Sequence, residues 1–308
     1  MGLTERIAEP IPDRIAERKQ LGPTPAALEQ QRADLRFTAP RTLTRRHESE
    51  RTEALSPPQG PRPHLWITAI RHAATHTGTL PVMIIGFDAD DTLWHNEDGF
   101  QASHREFETL LSDYGDPTAI EEHLFEIESR NMPKYGYGVK AYTLSLIECA
   151  IDISDGRVST AQIASILDLG HALLDRPVEL INGVTDVLDE LGCHTKMIIT
   201  KGDLYHQLSR IESSGLRTFF WQTEVVAHKD PATYRRVLDL HGVDPSNFVM
   251  VGNSLPSDVL PVMAIGGKAV HVPYHVTWAH EHHDGNHEAP TIEHLGELPA
   301  LLADWGLR

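Results

Sequence analysis

Four short segments hold the side chains able to do chemistry. The first, Phe87-Asp88-Ala89-Asp90-Asp91-Thr92-Leu93, sets two carboxylates two residues apart. A turn after a strand can direct both Asp88 and Asp90 at one ligand. The second, Ile198-Ile199-Thr200-Lys201-Gly202-Asp203, offers the Thr200 hydroxyl and, after it, the backbone N–H groups of Lys201 and Gly202. Together they form a cradle for anionic oxygens. The third, Val225-Val226-Ala227-His228-Lys229-Asp230-Pro231, supplies a fixed positive charge at Lys229. The fourth, Val249-Met250-Val251-Gly252-Asn253-Ser254, is followed by Asp258. Asp88, Asp90 and Asp258 together repel an anion. A hard divalent cation with oxygen ligands resolves that conflict, and Mg²⁺ is the natural choice. A lone D-x-D-x-T is a modest signal, because acidic loops arise by chance or bind cations without catalysis. Its union with the other three segments gives it weight.

Each segment follows an apolar run, so the elements that position them are strands. The sequence predicts strands at Val82–Phe87, Lys196–Ile199, Thr218–Val226, Asn247–Val251 and Lys268–Val272, with helical patterns at 203–213, 231–241 and 257–264. Strands alternating with helices give an α/β fold, a Rossmann-like doubly wound parallel sheet. Open sheets of this kind bind ligands at the carboxyl ends of their strands, where all four segments fall. Four helical patterns, at Phe100–Leu111, 118–130, 138–152 and 158–174, separate the first strand from the second with no strand among them. They read as a helical cap, 98–177, inserted into a catalytic core made of 81–97 and 178–308. Asn182-Gly183 introduces a further helix at 183–191.

The first 82 residues have a different texture. They hold 10 of the 20 prolines, with 12 Lys and Arg against 9 Asp and Glu. Residues 1–80 therefore read as a poorly ordered extension that buries too little to offset the entropy of ordering. Met83 stands immediately before the first strand, and a reading in which translation begins there stands beside one in which the extension is native.

The whole chain carries a formal charge of −17 over 308 residues. A nucleic-acid backbone or a polybasic membrane contact needs a basic face, so neither partner is expected. No apolar run approaches the ~20 residues of a membrane span. The two cysteines, Cys149 and Cys193, fall in no metal or disulfide pattern, and a reducing, cytoplasmic setting is expected.

In this order, the four segments resemble the haloacid dehalogenase-like hydrolase superfamily over residues 83 to about 275. The Asn131–Lys140 stretch and the motif FDADDTLW resemble a phosphatase-like branch, nearest to nucleotidase- or phosphoglycolate-phosphatase-type members. The resemblance implies an aspartyl-phosphate mechanism on a small phosphorylated metabolite. Asp88 would attack phosphorus, and Asp90 would protonate the leaving oxygen and then deprotonate water. Dehalogenases of the superfamily lack an acid at that second place, because a halide leaves without a proton. By resemblance, Mg²⁺ is held by the side chains of Asp88 and Asp258 and by the backbone carbonyl of Asp90. Thr200, Lys201, Gly202 and Lys229 bind the phosphoryl group, with Thr200 and Lys229 also catalytic. Asn253 replaces an Asp common in relatives, which leaves it a water-mediated role beside the metal. A phosphomutase and a non-catalytic phospholigand-binding protein are the alternatives.

Other features have plainer readings. Asp91, where relatives carry Gly, is expected to cap or turn the chain. His280, His282, His283 and His287, beside Glu281, Asp284 and Glu288, read as a polar surface loop rather than a metal site. Trp94 and Trp278 are expected near the rim. Substrate specificity is assigned to Lys134, Tyr135, Tyr137 and Lys140, in a cationic, aromatic loop between cap helices that Gly136 and Gly138 keep from being helical.

Overall fold

The computed structural model describes residues 83–307 apart from 284 and 286. The N-terminal extension, the Met83 start and Asp284 as a member of the His-rich loop are readings that fall, wholly or in part, outside the described residues.

β1 (Ile84–Phe87) is followed by four helices: α1 (Glu97–Leu110), α2 (Pro117–Tyr135), α3 (Val139–Ile153) and α4 (Thr160–Asp175). Then come α5 (Val184–Glu190), β2 (Thr195–Lys201), α6 (Leu204–Ser213), β3 (Gln222–Val226), α7 (Pro231–Leu240) and β4 (Phe248–Gly252). A short α8 (Leu260–Met263), β5 (Lys268–His271) and α9 (Leu298–Asp304) complete the chain. The sheet is parallel throughout, in the order β3-β2-β1-β4-β5. Its residues alternate between two buried faces. Ile85, Phe87, Ile198, Val249 and Val251 pack with Val187 of α5, Ile211 of α6 and Leu298 of α9. Met197, Ile199, Phe248 and Met250 pack on the other side with Tyr234 and Leu238 of α7 and Val262 of α8. Burial on both faces explains why the strands read as continuous apolar runs.

The helical insertion has its own core. Phe107, Leu124, Ile127, Leu146, Cys149 and Ile166 meet there, one or more from each of α1 to α4. The helix starts follow local chemistry. Asp116 caps α2 ahead of Pro117, Ser159 and Gln162 form a capping box on α4, and Asp230 caps α7 ahead of Pro231.

Three elements differ from the sequence expectation. Thr218–Val226 is not one strand: Arg217–Phe219 form a 3₁₀ turn, and β3 is confined to Gln222–Val226. The N–H groups of Phe219 and Phe220 close back onto Leu216 O (2.9 Å) and Arg217 O (3.3 Å), so this stretch bonds to itself rather than to β2. The helix at 257–264 opens as a wide π-type turn, Leu255–Val259, whose prolines at 256 and 261 interrupt regular bonding. The stretch 134–140 is mostly helix, because α2 runs on to Tyr135 and α3 begins at Val139. Among the described residues no helix is long and apolar enough to cross a membrane.

Candidate active site

Four adjacent strands deliver the chemistry to one rim. Asp88 directly follows β1, and its N–H still bonds to Val251 O of β4 (2.9 Å). Thr200 and Lys201 end β2, Lys229 lies three residues past β3, and Asn253 directly follows β4. Asp88, Asp90, Thr200, Lys201, Lys229, Asn253 and Asp258 all line a single cavity of about 230 Å³ between this rim and the helical insertion.

At its floor the Lys229 ammonium bridges two carboxylates. It donates to Asp88 Oδ1 and, at 2.6 Å, to Asp258 Oδ1. Burial disfavours the ammonium, but Asp258 and Asp88 together hold its pKa well above the ordinary lysine range. Burial likewise pushes Asp258 up against the pull of Lys229, and pushes Asp88 up to about 7, with the nearby Asp258 charge adding to it. One ammonium between two buried carboxylates leaves an excess negative charge. Gly252 makes room for this arrangement: a Cβ there would overlap the Asp258 carboxylate. Ser254 N–H fixes the other Asp258 oxygen at 3.0 Å.

Asp90 is held from three sides. Trp94 Nε1 donates to Oδ1 (2.7 Å), Gln207 Nε2 donates to Oδ2 (2.7 Å), and Arg210 pairs with Oδ1 (3.2 Å). Asp91 adopts φ 61°, a left-handed conformation Asp tolerates, and accepts from the N–H groups of Asn96 (2.8 Å) and Glu97 (3.0 Å). It therefore caps α1, as expected, and burial pushes its carboxyl up to about 8.

Thr200 is buried and its hydroxyl has no hydrogen-bond partner among the described residues. The Gly202 N–H already donates to Val226 O (3.4 Å), and Gly202 does not line the cavity, so that arm of the expected cradle is occupied by the sheet. The Lys201 ammonium pairs with Glu281, bonds to Ser257 (3.2 Å) and lies 4.4 Å from the Tyr137 ring centre. Asn253 contacts Thr92: its N–H donates to the hydroxyl at 3.1 Å, and that hydroxyl lies 3.3 Å from Asn253 Oδ1 and 3.4 Å from Asp88 Oδ2.

Of the four expected specificity residues, Tyr137 alone lines the cavity. Lys134 and Tyr135 lie exposed at the end of α2, and Lys140 pairs with Asp203 at 3.0 Å on the outside. The physical reason is the helical extension of α2 and α3. Only Gly136 to Gly138 remain as a turn, both glycines at positive φ, and that turn can aim one side chain inward.

The His-rich loop is less superficial than its composition suggests. His280 stacks on Phe125 (4.2 Å, 7°) and bonds to Glu128 (3.3 Å), while Glu281 reaches Lys201 and Ser257. His282 and His283 are exposed. Among the described residues no three His, Cys, Asp or Glu side chains form a metal cluster. Sequence reasoning missed Gln207, Arg210 and Glu281 as site residues. For the first two a signal existed: they lie three apart on the first turns of α6, which starts at the rim of the cavity. For Glu281 there was none.

The donor set at the floor suits a hard cation. Two carboxylates, Asp88 and Asp258, face one ammonium, and all candidate ligands there are oxygens.

A parallel sheet with carboxylate, hydroxyl and ammonium side chains at the carboxyl ends of four strands, split by a helical insertion, defines a class of α/β hydrolases. The family model for haloacid dehalogenase-like hydrolases matches residues 82–264. A haloacid dehalogenase-like hydrolase of Xanthomonas campestris is 40% identical, over 73% of this chain and 91% of that one, with a TM-score of 0.66. The fold is shared at lower identity with L-2-haloacid dehalogenase from Xanthobacter autotrophicus, in a structure with chloropropionic acid covalently bound (15%, 72% and 98% coverage, TM-score 0.52). A HAD-hydrolase from Bacillus subtilis bound to magnesium is similarly placed (18%, 72% and 98% coverage, TM-score 0.50). Among curated proteins no sequence matches. The chain belongs to the haloacid dehalogenase-like hydrolases.

Proposed function

We propose that this hydrolase is a Mg²⁺-dependent phosphatase that cleaves a small phosphomonoester through an aspartyl-phosphate. The observation that carries the reading is Asp90, a second carboxyl lining the same cavity as Asp88 and oriented by Trp94, Gln207 and Arg210. A halide leaves without a proton, whereas an alkoxide needs one.

The Asp88 carboxylate attacks phosphorus as the bond to the leaving oxygen breaks, and Asp90 gives that oxygen its proton. Asp90 then takes a proton from water, which attacks the acyl phosphate, releases phosphate and restores Asp88. Lys229 holds a positive charge against Asp88 throughout, and the unpaired Thr200 hydroxyl is free for a phosphoryl oxygen. Lys201 and Gly202 follow it at the strand end. The side chains of Asp88 and Asp258, with the Asp90 carbonyl, would hold Mg²⁺, and Asn253 would reach it through a water. Bound there, the ion supplies charge neutralisation for the phosphoryl oxygens. The cavity lies below the ~300–1,000 Å³ of sites for drug-sized ligands, which favours a small metabolite. Two free cysteines, one of them exposed, are in keeping with a reducing cytoplasmic setting.

The test is phosphate release from p-nitrophenyl phosphate with Mg²⁺ and after chelation. Turnover should require Mg²⁺, and Asp88→Asn should lower it by ~10³-fold or more. Release of halide from a 2-haloacid with no phosphate release, or full activity of Asp88→Asn, would overturn the reading.

A further inference from the structure

The cavity is chemically two-sided. On the core side each acid has a partner: Asp88 and Asp258 share Lys229, Asp90 has Arg210, Glu281 has Lys201, and Asp91 caps a helix. On the side contributed by α1 to α3 the balance is different. Glu97, Glu121 and Glu128 line it, and among the described residues it receives no Lys or Arg. Glu97 is buried and its one side-chain partner is Gln101 (2.9 Å), a neutral donor. Burial pushes its carboxyl up to about 7, the mark of an acid without a countercharge. Among the described residues the Glu128 carboxylate pairs with His280 alone, at 3.3 Å.

A second, independent observation points to a ligand. Tyr142 lines this part of the cavity and is 8% exposed, and its buried hydroxyl, next to that of Ser103, has no partner at ordinary hydrogen-bond geometry among the described residues. On the core side, Gln207 lines the same cavity from α6, is 4% exposed, and has an Oε1 without a hydrogen-bond partner among the described residues. Buried polar atoms without partners cost stability unless something supplies the bond. The surroundings are aromatic. Phe100 lies edge-on to Tyr142 at 5.1 Å, and Phe125 lines the wall beside them.

We infer that this half of the cavity recognises an organic ammonium group, so that the substrate is the phosphomonoester of an amino alcohol. This rests on the phosphatase reading for the reaction but not for the recognition. Carboxylates supply the countercharge, aromatic faces supply cation–π attraction, and the unpaired Tyr142 oxygen accepts an N–H or polarised C–H. A carboxylate on the leaving group would meet three acids with no Lys or Arg among the described residues on that side to offset them, the one group there that can become cationic being His104. A neutral polyol could bond to the acids but would leave their charge uncompensated.

Choline and ethanolamine are the probes, with glycerol as a neutral control of similar size. Trp278 lines the cavity, so binding reads out as protein fluorescence without any turnover. At least one amine should saturate, glycerol should not, and Glu97→Gln and Glu128→Gln should each weaken amine binding about tenfold. Should either Glu variant fail to fold, Phe100→Leu, which keeps the volume apolar and removes the ring, should weaken binding as well. In turnover, phosphocholine or phosphoethanolamine should exceed glycerol 3-phosphate in kcat/KM by about tenfold or more. Saturation by glycerol as well as by the amines, or no saturation by either amine, overturns the inference. So does unchanged amine affinity in the folded variants. If p-nitrophenyl phosphate turns over but no amine binds, the ammonium site alone falls. If amines bind but no phosphoester turns over, the phosphatase reading alone falls.

Discussion

Asp90 accepts from Trp94 and Gln207 and pairs with Arg210, and this dictates what its loss should do. Trp94, Gln207 and Arg210 orient the carboxyl without themselves lying in line with phosphorus in the proposed step. Asp90→Asn keeps the shape and removes the transferable proton. It should lower kcat/KM on alkyl phosphates by ~10²–10⁴-fold while sparing p-nitrophenyl phosphate by comparison, because a good leaving group needs little protonation. Equal losses on both ester types, measured side by side, would remove Asp90 from the acid's role. Gly252 offers a prediction of a different kind. Its backbone is ordinary, but the space a Cβ would take belongs to the Asp258 carboxylate. Gly252→Ala must displace an acid that is fully buried and paired with Lys229. Overpacking of this sort costs ~1–3 kcal/mol, equivalent to a fall in Tm of roughly 2–12 °C. Thermal melts would check the stability, and Mg²⁺ titration of activity would show a weakened metal response if Asp258 moves as argued.

Between β1 and β2, helix ends decide which residues reach the substrate. The glycines at 136 and 138 suggest a longer loop than forms, since α2 continues through Pro133 to Tyr135 and α3 starts one residue after Gly138. What remains is a three-residue turn that points Tyr137 at the cavity, over Lys201 and beside Trp278 (6.0 Å). Tyr137→Ala should therefore change the ranking of phosphoesters by kcat/KM. Alanine at Lys134 or Tyr135 should leave it as it was, because those side chains face solvent. A ranking altered by Lys134→Ala and untouched by Tyr137→Ala would refute the assignment. The strands and the four inserted helices were legible because apolar runs and 3.6-residue periodicity are local properties of the chain. So were Asp88, Asp90, Thr200, Lys229 and Asp258, each close to a strand's carboxyl end. Glu281 was not, because it arrives from an irregular segment past β5 and its link to Lys201 spans 80 positions. The aromatic residues before β3 favoured a strand by propensity, but the N–H groups of Phe219 and Phe220 bond back to Leu216 and Arg217, a local closure that propensity does not reveal.

Over the whole molecule charge is distributed in a way that bears on every anionic ligand. The chain totals −17, and beyond residue 82 it holds 35 acidic residues against 15 basic ones. The three cations lining the cavity, Lys201, Arg210 and Lys229, are each paired with a carboxylate. The long-range field is therefore negative, and a phosphate dianion approaches against it until it meets the local charges at the rim. Added salt screens that repulsion, because the Debye length falls from about 30 Å at 0.01 M to about 8 Å at 0.15 M. At fixed Mg²⁺, kcat/KM for p-nitrophenyl phosphate should then rise by ~2- to 5-fold as KCl is raised across this range. Phosphocholine carries its own ammonium, so its approach meets less net repulsion and its kcat/KM should change less. The comparison between the two esters separates the field from nonspecific salt effects on folding, which would move both together. Falling activity with salt on p-nitrophenyl phosphate would mean that a local attraction at the rim dominates the field of the whole protein, and the argument from net charge would fail.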